Sequence, residues 1–141
     1  MEFGELVFTL LRDLQAVFRR KLKLSGITLP QLVILSSVPD EGIDMTSLAQ
    51  NIGVDNSTLT RTTGMLIGRG LIYKEKSEID HRSNLLFLTA EGERVQEKID
   101  LEIDRLGEEI GNLFPYDERD EIKSVLASFH WAFSRLRLKQ Y

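Results

Sequence analysis

The apolar residues of this chain change their period twice, and nothing else in the sequence restricts its fold so strongly. From Phe3 to Gly68 they recur every three or four residues, as amphipathic helices require. After Gly70 come two short β-prone runs, Leu71-Ile72-Tyr73-Lys74-Glu75-Lys76 and Asn84-Leu85-Leu86-Phe87-Leu88, joined by the polar residues 77–83 and read as a β-hairpin. At Thr89 the helical spacing returns. The chain is therefore expected to be mainly α with one small β-hairpin, an α+β arrangement of one long helix, three short helices, the hairpin and two further helices.

Local signals divide the helices. The first spans 3–24, aligns Phe3, Leu6, Val7, Leu10, Leu11, Leu14, Val17, Phe18 and Leu22, and stops at Ser25-Gly26. Thr28 with Gln31 three residues later is a capping box for a second helix that runs to about Val38, and Pro39 and Gly42 punctuate the loop after it. A third helix covers 46–52 with Leu48, Ala49 and Ile52 inward. Gly53-Val54 turns the chain, and Asp55-Asn56-Ser57 gives a polar start to a fourth helix ending near Gly68. Thr89 caps a fifth helix that runs to about Phe114. A sixth begins near Asp117, with Ile122, Val125, Leu126, Phe129, Phe133 and Leu136 as its apolar stripe.

No repeat or flexible linker interrupts this order, so 1–141 reads as a single domain. The long terminal stripes find little to cover them in one short chain. Segments 1–24 and 90–141 are accordingly expected to pack against the same elements of a second copy in a closed two-fold pair.

Composition narrows the classes further. With 42% hydrophobic and 28% charged residues the chain can bury a real core, and disorder is not expected. The absence of cysteine excludes disulfides, cysteine-rich zinc sites and thiol sensing. Glu2, Glu5, Arg12 and Asp13 break any secretory h-region, and no apolar stretch approaches the ~18 residues of a membrane span. A cytoplasmic protein without a membrane partner is expected.

Residues 46–69 form a helix-turn-helix candidate, and the hairpin at 71–88 a candidate wing. Projected at about 100° per residue, Leu59, Thr63, Leu66 and marginally Ile67 fall on one side of the fourth helix. Ser57, Arg61, Gly64, Met65 and Gly68 fall opposite, flanked by Thr58 and Thr60. The outer face thus carries hydroxyls that donate to phosphates or base edges and one arginine able to grip guanine bidentately. The first backbone N–H groups of the helix are a further phosphate site. Gly64 and Gly68 each cost on the order of 1 kcal/mol of helix stability relative to Ala. Close approach to a groove wall and simple tolerance both fit them. In the hairpin Lys74, Lys76, His81 and Arg82 cluster at a tip that also holds Glu75, Glu78 and Asp80. The spacing fits Asp80 bracing the Arg82 guanidinium toward a minor groove, and equally a solvated loop with a surface ion pair.

Thr28-Leu29-Pro30-Gln31, Leu48-Ala49, Gly53-Val54-Asp55, Ser57-Thr58-Leu59-Thr60-Arg61, Gly70-Leu71-Ile72, Asp80-His81-Arg82 and Leu88-Thr89-Ala90-Glu91-Gly92 together resemble the MarR family of bacterial transcriptional regulators. The order and gaps fit over nearly the whole chain. The resemblance implies a winged helix-turn-helix at 28–89, with 1–24 and 90–141 as interlocking dimerisation helices. It implies a homodimer on a pseudo-palindromic operator in double-stranded DNA, usually repressing, and a small, aromatic effector. It also implies Asn56, Ser57, Thr58, Thr60 and Arg61 in the major groove, with Arg82 as a minor-groove contact oriented by Asp80. Lys74, Lys76 and His81 then face the DNA from the wing. Two positions depart from the family. Gly64 stands where many members carry an acidic residue that pairs with the wing, and Lys74 replaces a frequent arginine, losing the bidentate fork.

Other classes find less support. A winged-helix protein-interaction module that no longer binds DNA is the alternative. An enzyme would need a catalytic cluster, and with His81 and His130 the only histidines the chain has neither metal-ligand spacing nor a phosphate loop. No catalytic residue, metal or cofactor is assigned. Trp131, Phe129 and Phe133 fit core positions better than an effector pocket, so no ligand-binding residue is assigned either. The formal charge of -4 argues against nucleic acid only until it is resolved by segment. Residues 1–45 carry -1, 46–89 carry +1, 90–121 carry -8 and 122–141 carry +4. The acidity belongs to the fifth helix and its exit, and the helix-turn-helix block is mildly basic.

Overall fold

A computed structural model describes residues 1–22, 24, 26–80 and 82–139, which form two compact units, Met1–Ile103 and Asp104–Tyr141. The first unit opens with α1 (Phe3–Lys21), α2 (Leu29–Ser37), β1 (Ile43–Asp44), α3 (Met45–Ile52) and α4 (Asn56–Gly68). The hairpin strands β2 (Ile72–Lys76) and β3 (Asn84–Leu88) follow, and then the start of α5 (Ala90–Gly111). Helix α1 ends three residues short of the sequence expectation. Leu22 and Leu24 leave the helical path to pack against the core, which a continued helix would not allow. The capping box at α2 forms as expected. Gln31 donates its backbone N–H to Thr28 Oγ1 at 3.4 Å, and Thr28 donates its own to Gln31 Oε1 at 3.2 Å.

The core of this unit joins α2, α3, α4, the sheet and α5 through Ile34, Leu35, Leu48, Leu59, Leu66, Leu86 and Ile99 among its members. Thr63 lies fully buried among them, its hydroxyl donating to the Leu59 carbonyl at 2.8 Å, so no polar atom is stranded. The sheet has three antiparallel strands in the order β1-β3-β2, one more than the hairpin alone. Two-residue β1 pairs Ile43 with Leu86 and Asp44 with Leu85. It is too short to carry any alternation, and only its partner strand makes it visible.

Where the hairpin gives way to α5, the Leu88-Thr89-Ala90-Glu91-Gly92 run has a specific task. The Thr89 hydroxyl donates to the Gly70 carbonyl at 2.6 Å, and its oxygen accepts the Gly92 N–H at 3.0 Å, capping α5. The Thr89 N–H donates to the Leu71 carbonyl at 3.1 Å. Gly92 is pressed onto that same carbonyl, and a Cβ there would lie 2.0 Å from the Leu71 oxygen. One helical turn further on, Gln96 donates its amide to the Leu35 carbonyl at 2.8 Å, covering the open end of α2.

The second unit holds the last turns of α5, a 3-10 turn (Tyr116–Glu118) and α6 (Arg119–Leu138). Helix α5 ends at Gly111, ahead of the expected Phe114, because Leu113 and Phe114 donate three residues back, to Ile110 and Gly111, and tighten the chain. Leu106 is the one buried residue of this second unit among those described. Trp131 is 61% exposed and Phe133 46%, so the expectation that they are core residues does not hold within one chain. No described helix is long and apolar enough to cross a membrane.

The contact at Gly92 gives a direct test. Gly92→Ala forces the clash onto backbone, and overpacking of this kind costs about 1–3 kcal/mol. A drop of that size is expected in the free energy of chemical denaturation, and an unchanged midpoint would contradict the close approach.

Candidate nucleic-acid interface

Two aspartates start the two helices of the helix-turn-helix. Asp44, at the end of β1, accepts the Ser47 N–H at 2.8 Å and the Ser47 hydroxyl at 2.7 Å, capping α3. Asp55 accepts the Thr58 N–H at 2.7 Å, capping α4. In both cases that backbone N–H is the first cause that holds the carboxyl below its ordinary value of 3.8. Between the helices, the N–H groups of Gly53 and Val54 both donate to the Ala49 carbonyl, at 2.9 and 3.1 Å, making a tight turn.

The Asp55 cap revises the expectation of a phosphate site at the start of α4. One of the free N–H groups is taken, and a carboxylate now stands where the helix dipole would draw an anion. The outer face is as projected. Leu59, Thr63 and Leu66 are buried, Ile67 is half-buried, and Asn56, Ser57, Thr60, Arg61, Gly64, Met65 and Gly68 are exposed. Thr58 is half-buried and turns toward the inner flank, where it lines a cleft with Leu59 and Thr62. The thirteen residues of α4 make a rod about 20 Å long, presenting Ser57, Thr60 and Arg61 on its open side.

The pairing register sorts the wing. Lys74 faces Leu86 and Lys76 faces Asn84, while Tyr73 faces Phe87 and Glu75 faces Leu85. Because side chains alternate along a strand, both lysines share one side of the hairpin, and Glu75 lies on the other with the stacked Tyr73 and Phe87 rings. At the tip, Asp80 accepts the backbone N–H of Arg82 at 3.1 Å and the Ser83 hydroxyl at 3.2 Å. The carboxylate therefore fixes the main chain of the turn, and no ion pair joins it to the Arg82 guanidinium among the described residues. Arg82 is exposed. His81 lies outside the described residues.

Sequence reasoning found the two faces of α4 and the wing but missed Asp44, Gln96 and the contacts of Arg69. Asp44 followed by Ser47 is a cap signature that was readable ahead of the third helix. The other contacts span tens of residues and leave no local signal.

Comparisons with known proteins converge on one group. A family model described as the MarR family matches residues 27–83. The transcriptional regulator HosA of Escherichia coli O127:H6 is 32% identical over 74 residues, covering 52% of this chain and 55% of that protein. The chain thus spans little more than half the length of the curated relatives it matches first. The crystal structure of a MarR transcriptional regulator from Methanosarcina mazei Go1 is 25% identical, with a TM-score of 0.80 over 94% of this chain and 96% of that one. Streptococcus pneumoniae FabT, in complex with DNA, shares the fold at 16% identity and a TM-score of 0.77, over 94% and 96% of the two chains.

Two outcomes follow from this geometry. A Cβ at Gly64 or Gly68 would meet nothing within 4 Å, so Gly64→Ala with Gly68→Ala should raise stability by up to about 1 kcal/mol per site. Unchanged DNA affinity would then leave no role for close backbone approach, and weakened affinity would establish one. The caps make the helix-turn-helix acid-sensitive. A depressed carboxyl stabilises fully above its unfolded pKa and loses that contribution as pH falls through the folded value. Asp44→Asn should therefore flatten the loss of stability on acidification below about pH 4 in denaturation midpoints. A slope equal to the parent's would count against the Asp44 cap.

Proposed function

We propose that the chain, which matches the MarR family model over residues 27–83, is a member of that family and a repressor that binds a pseudo-palindromic operator in double-stranded DNA as a homodimer. The observation that carries this reading is the solvent-facing side of α4, where Ser57, Thr60 and Arg61 stand clear of the packed Leu59, Thr63 and Leu66. Among the described residues no side-chain hydrogen bond engages those outer groups, and Arg61 acts only electrostatically on Asp55. Asn56 and Thr58 are assigned to the same groove. Arg61 reads a guanine edge, and Arg82 enters the adjacent minor groove from a turn held by Asp80. Lys74 and Lys76, on one side of the wing, and His81 face phosphates. The DNA-bound state of FabT, which has the same fold, supports this assignment.

The homodimer rests on exposed apolar surface in each unit. In α1, Phe3 is 69% exposed and Phe8 66%, and in α6 Trp131 is 61% exposed. Stripes of this kind are uncommon on a free monomer and fit a second copy of the same chain. Two subunits would then place their reading helices about one turn, or 10 base pairs, apart. Effector control is part of the proposal. A cleft of about 230 Å³ beneath α4, lined by Gln15, Arg19, Val33, Thr58, Leu59 and Thr62, suits a small amphiphilic molecule whose binding would press on the reading helix. The protein acts in the cytoplasm and needs no cofactor.

Selection from a random duplex pool, followed by titration of the selected site, tests the proposal. Enrichment of a two-fold sequence is expected. Arg61→Ala should relax preference at one base position at a cost of about 1–3 kcal/mol, and Arg82→Ala should weaken binding and lower the salt slope by about 1. Parent-like binding by both variants would refute the site assignment. Sedimentation should give a dimer at micromolar concentration, and a monomer would remove the two-fold arrangement.

A further inference from the structure

The recognition helix is tied down at its C-terminal end by groups that neither pack in the core nor belong to the face assigned to DNA. Arg69 caps α4, its N–H donating to the Met65 carbonyl at 3.1 Å. Its guanidinium reaches 43 residues back and donates through Nη1 to the carbonyl of Gly26. Gly26 lies in the connector between α1 and α2, at φ +74°, and a Cβ there would stand 3.3 Å from Arg69 Nη2. The connector is itself anchored. Ile27 donates back to the Leu24 carbonyl at 3.2 Å, and Leu22, Leu24 and Ile27 pack against the core. The next two residues after Arg69 give their carbonyls to Thr89 at the start of α5. Three consecutive residues thus fasten the last turn of α4 to the connector ahead of α2 and to the entry of α5.

Apolar contacts hold α4 against the core without fixing its direction, because burial depends on area and hardly on angle. A guanidinium bound to a carbonyl is directional. We propose that Arg69 is a positioning residue for operator binding, a tether through which the core-anchored connector ahead of α2 sets the angle at which α4 meets DNA. This rests on the DNA-binding reading above and adds to it a residue outside the assigned contacts. Arg69 is exposed, so losing its bond should leave the fold intact while freeing the end of the helix.

Arg69→Ala and Arg69→Lys are compared with the parent by amide hydrogen exchange on the free protein and by titration of operator and unrelated duplexes across a salt series. In Arg69→Ala, exchange should quicken both at 26–29 and at 67–71 while α3 keeps its protection. Operator affinity should fall about tenfold, with affinity for unrelated DNA and the salt slope unchanged, because no phosphate contact is lost. Arg69→Lys, which keeps a donor and the charge, should recover most of the operator affinity. Equal losses on operator and unrelated DNA with a slope lowered by about 1 would make Arg69 a phosphate contact and overturn the proposal. Quickened exchange confined to 67–71, or operator binding like the parent's, would overturn it as well. A parent that selects no sequence would refute the DNA-binding reading and the positioning role together, and the exchange data would still report whether the tether exists.

Discussion

The contact between Thr89, Gly92 and the carbonyls of Gly70 and Leu71 governs the first unit. It lies where α4 hands over to the wing and where the wing hands over to α5. Two short carbonyl–hydroxyl and carbonyl–amide bonds, with no room for a side chain at residue 92, hold three elements at one point. The wing is a two-stranded hairpin that would be marginal alone. Its base is fixed here, and its third strand, β1, runs directly into the capped start of α3. The α4 surface and the wing thereby acquire a defined relation with no hydrogen bond or ion pair between their outer side chains among the described residues.

That scaffold uses little charge. The block from 46 to 89 carries only +1, and two caps, Asp44 just ahead of it and Asp55 within it, place carboxylates at helix starts where phosphates would otherwise be drawn. Such a surface gains little from non-specific attraction, so on the proposed reading discrimination comes from hydroxyl and guanidinium contacts at base edges and from the shape of the minor groove. The heavy acidity of 90–121 begins only after this block ends and explains why the whole-chain charge misleads. Gly64 fits the same economy. The helix face there is open, with no side chain to link α4 to the wing, and the wing turn is braced internally by Asp80.

Much of this was legible from residues alone. The capping box at Thr28 and Gln31, the inward set Leu59, Thr63 and Leu66, and both hairpin strands rest on signals a few residues long, and short-range geometry decides them. Strand β1 was not legible, because two residues carry no period. The early end of α1 was not legible either, since Leu22 and Leu24 continue the helical pattern and yet serve the core better outside it. Asp80 was read as a brace for a side chain and proved to be a brace for backbone, a distinction that spacing cannot make because both partners lie two residues away. Trp131 and Phe133 were read as core residues from their period, which records only that a face is apolar and not what covers it.

The sequence by itself determined the order of helices and hairpin and the two faces of α4, because period, caps and turn residues act locally and survive without knowledge of the rest of the chain. Only the tertiary structure decided which distant backbone carbonyls Arg69, Thr89 and Gln96 would reach, which strand would pair with Leu85 and Leu86, and that Gly92 had to lack a side chain. The physical reason is that a carbonyl is the same group at every residue. What singles one out as a partner is its position in space, and that is fixed only once the core has closed.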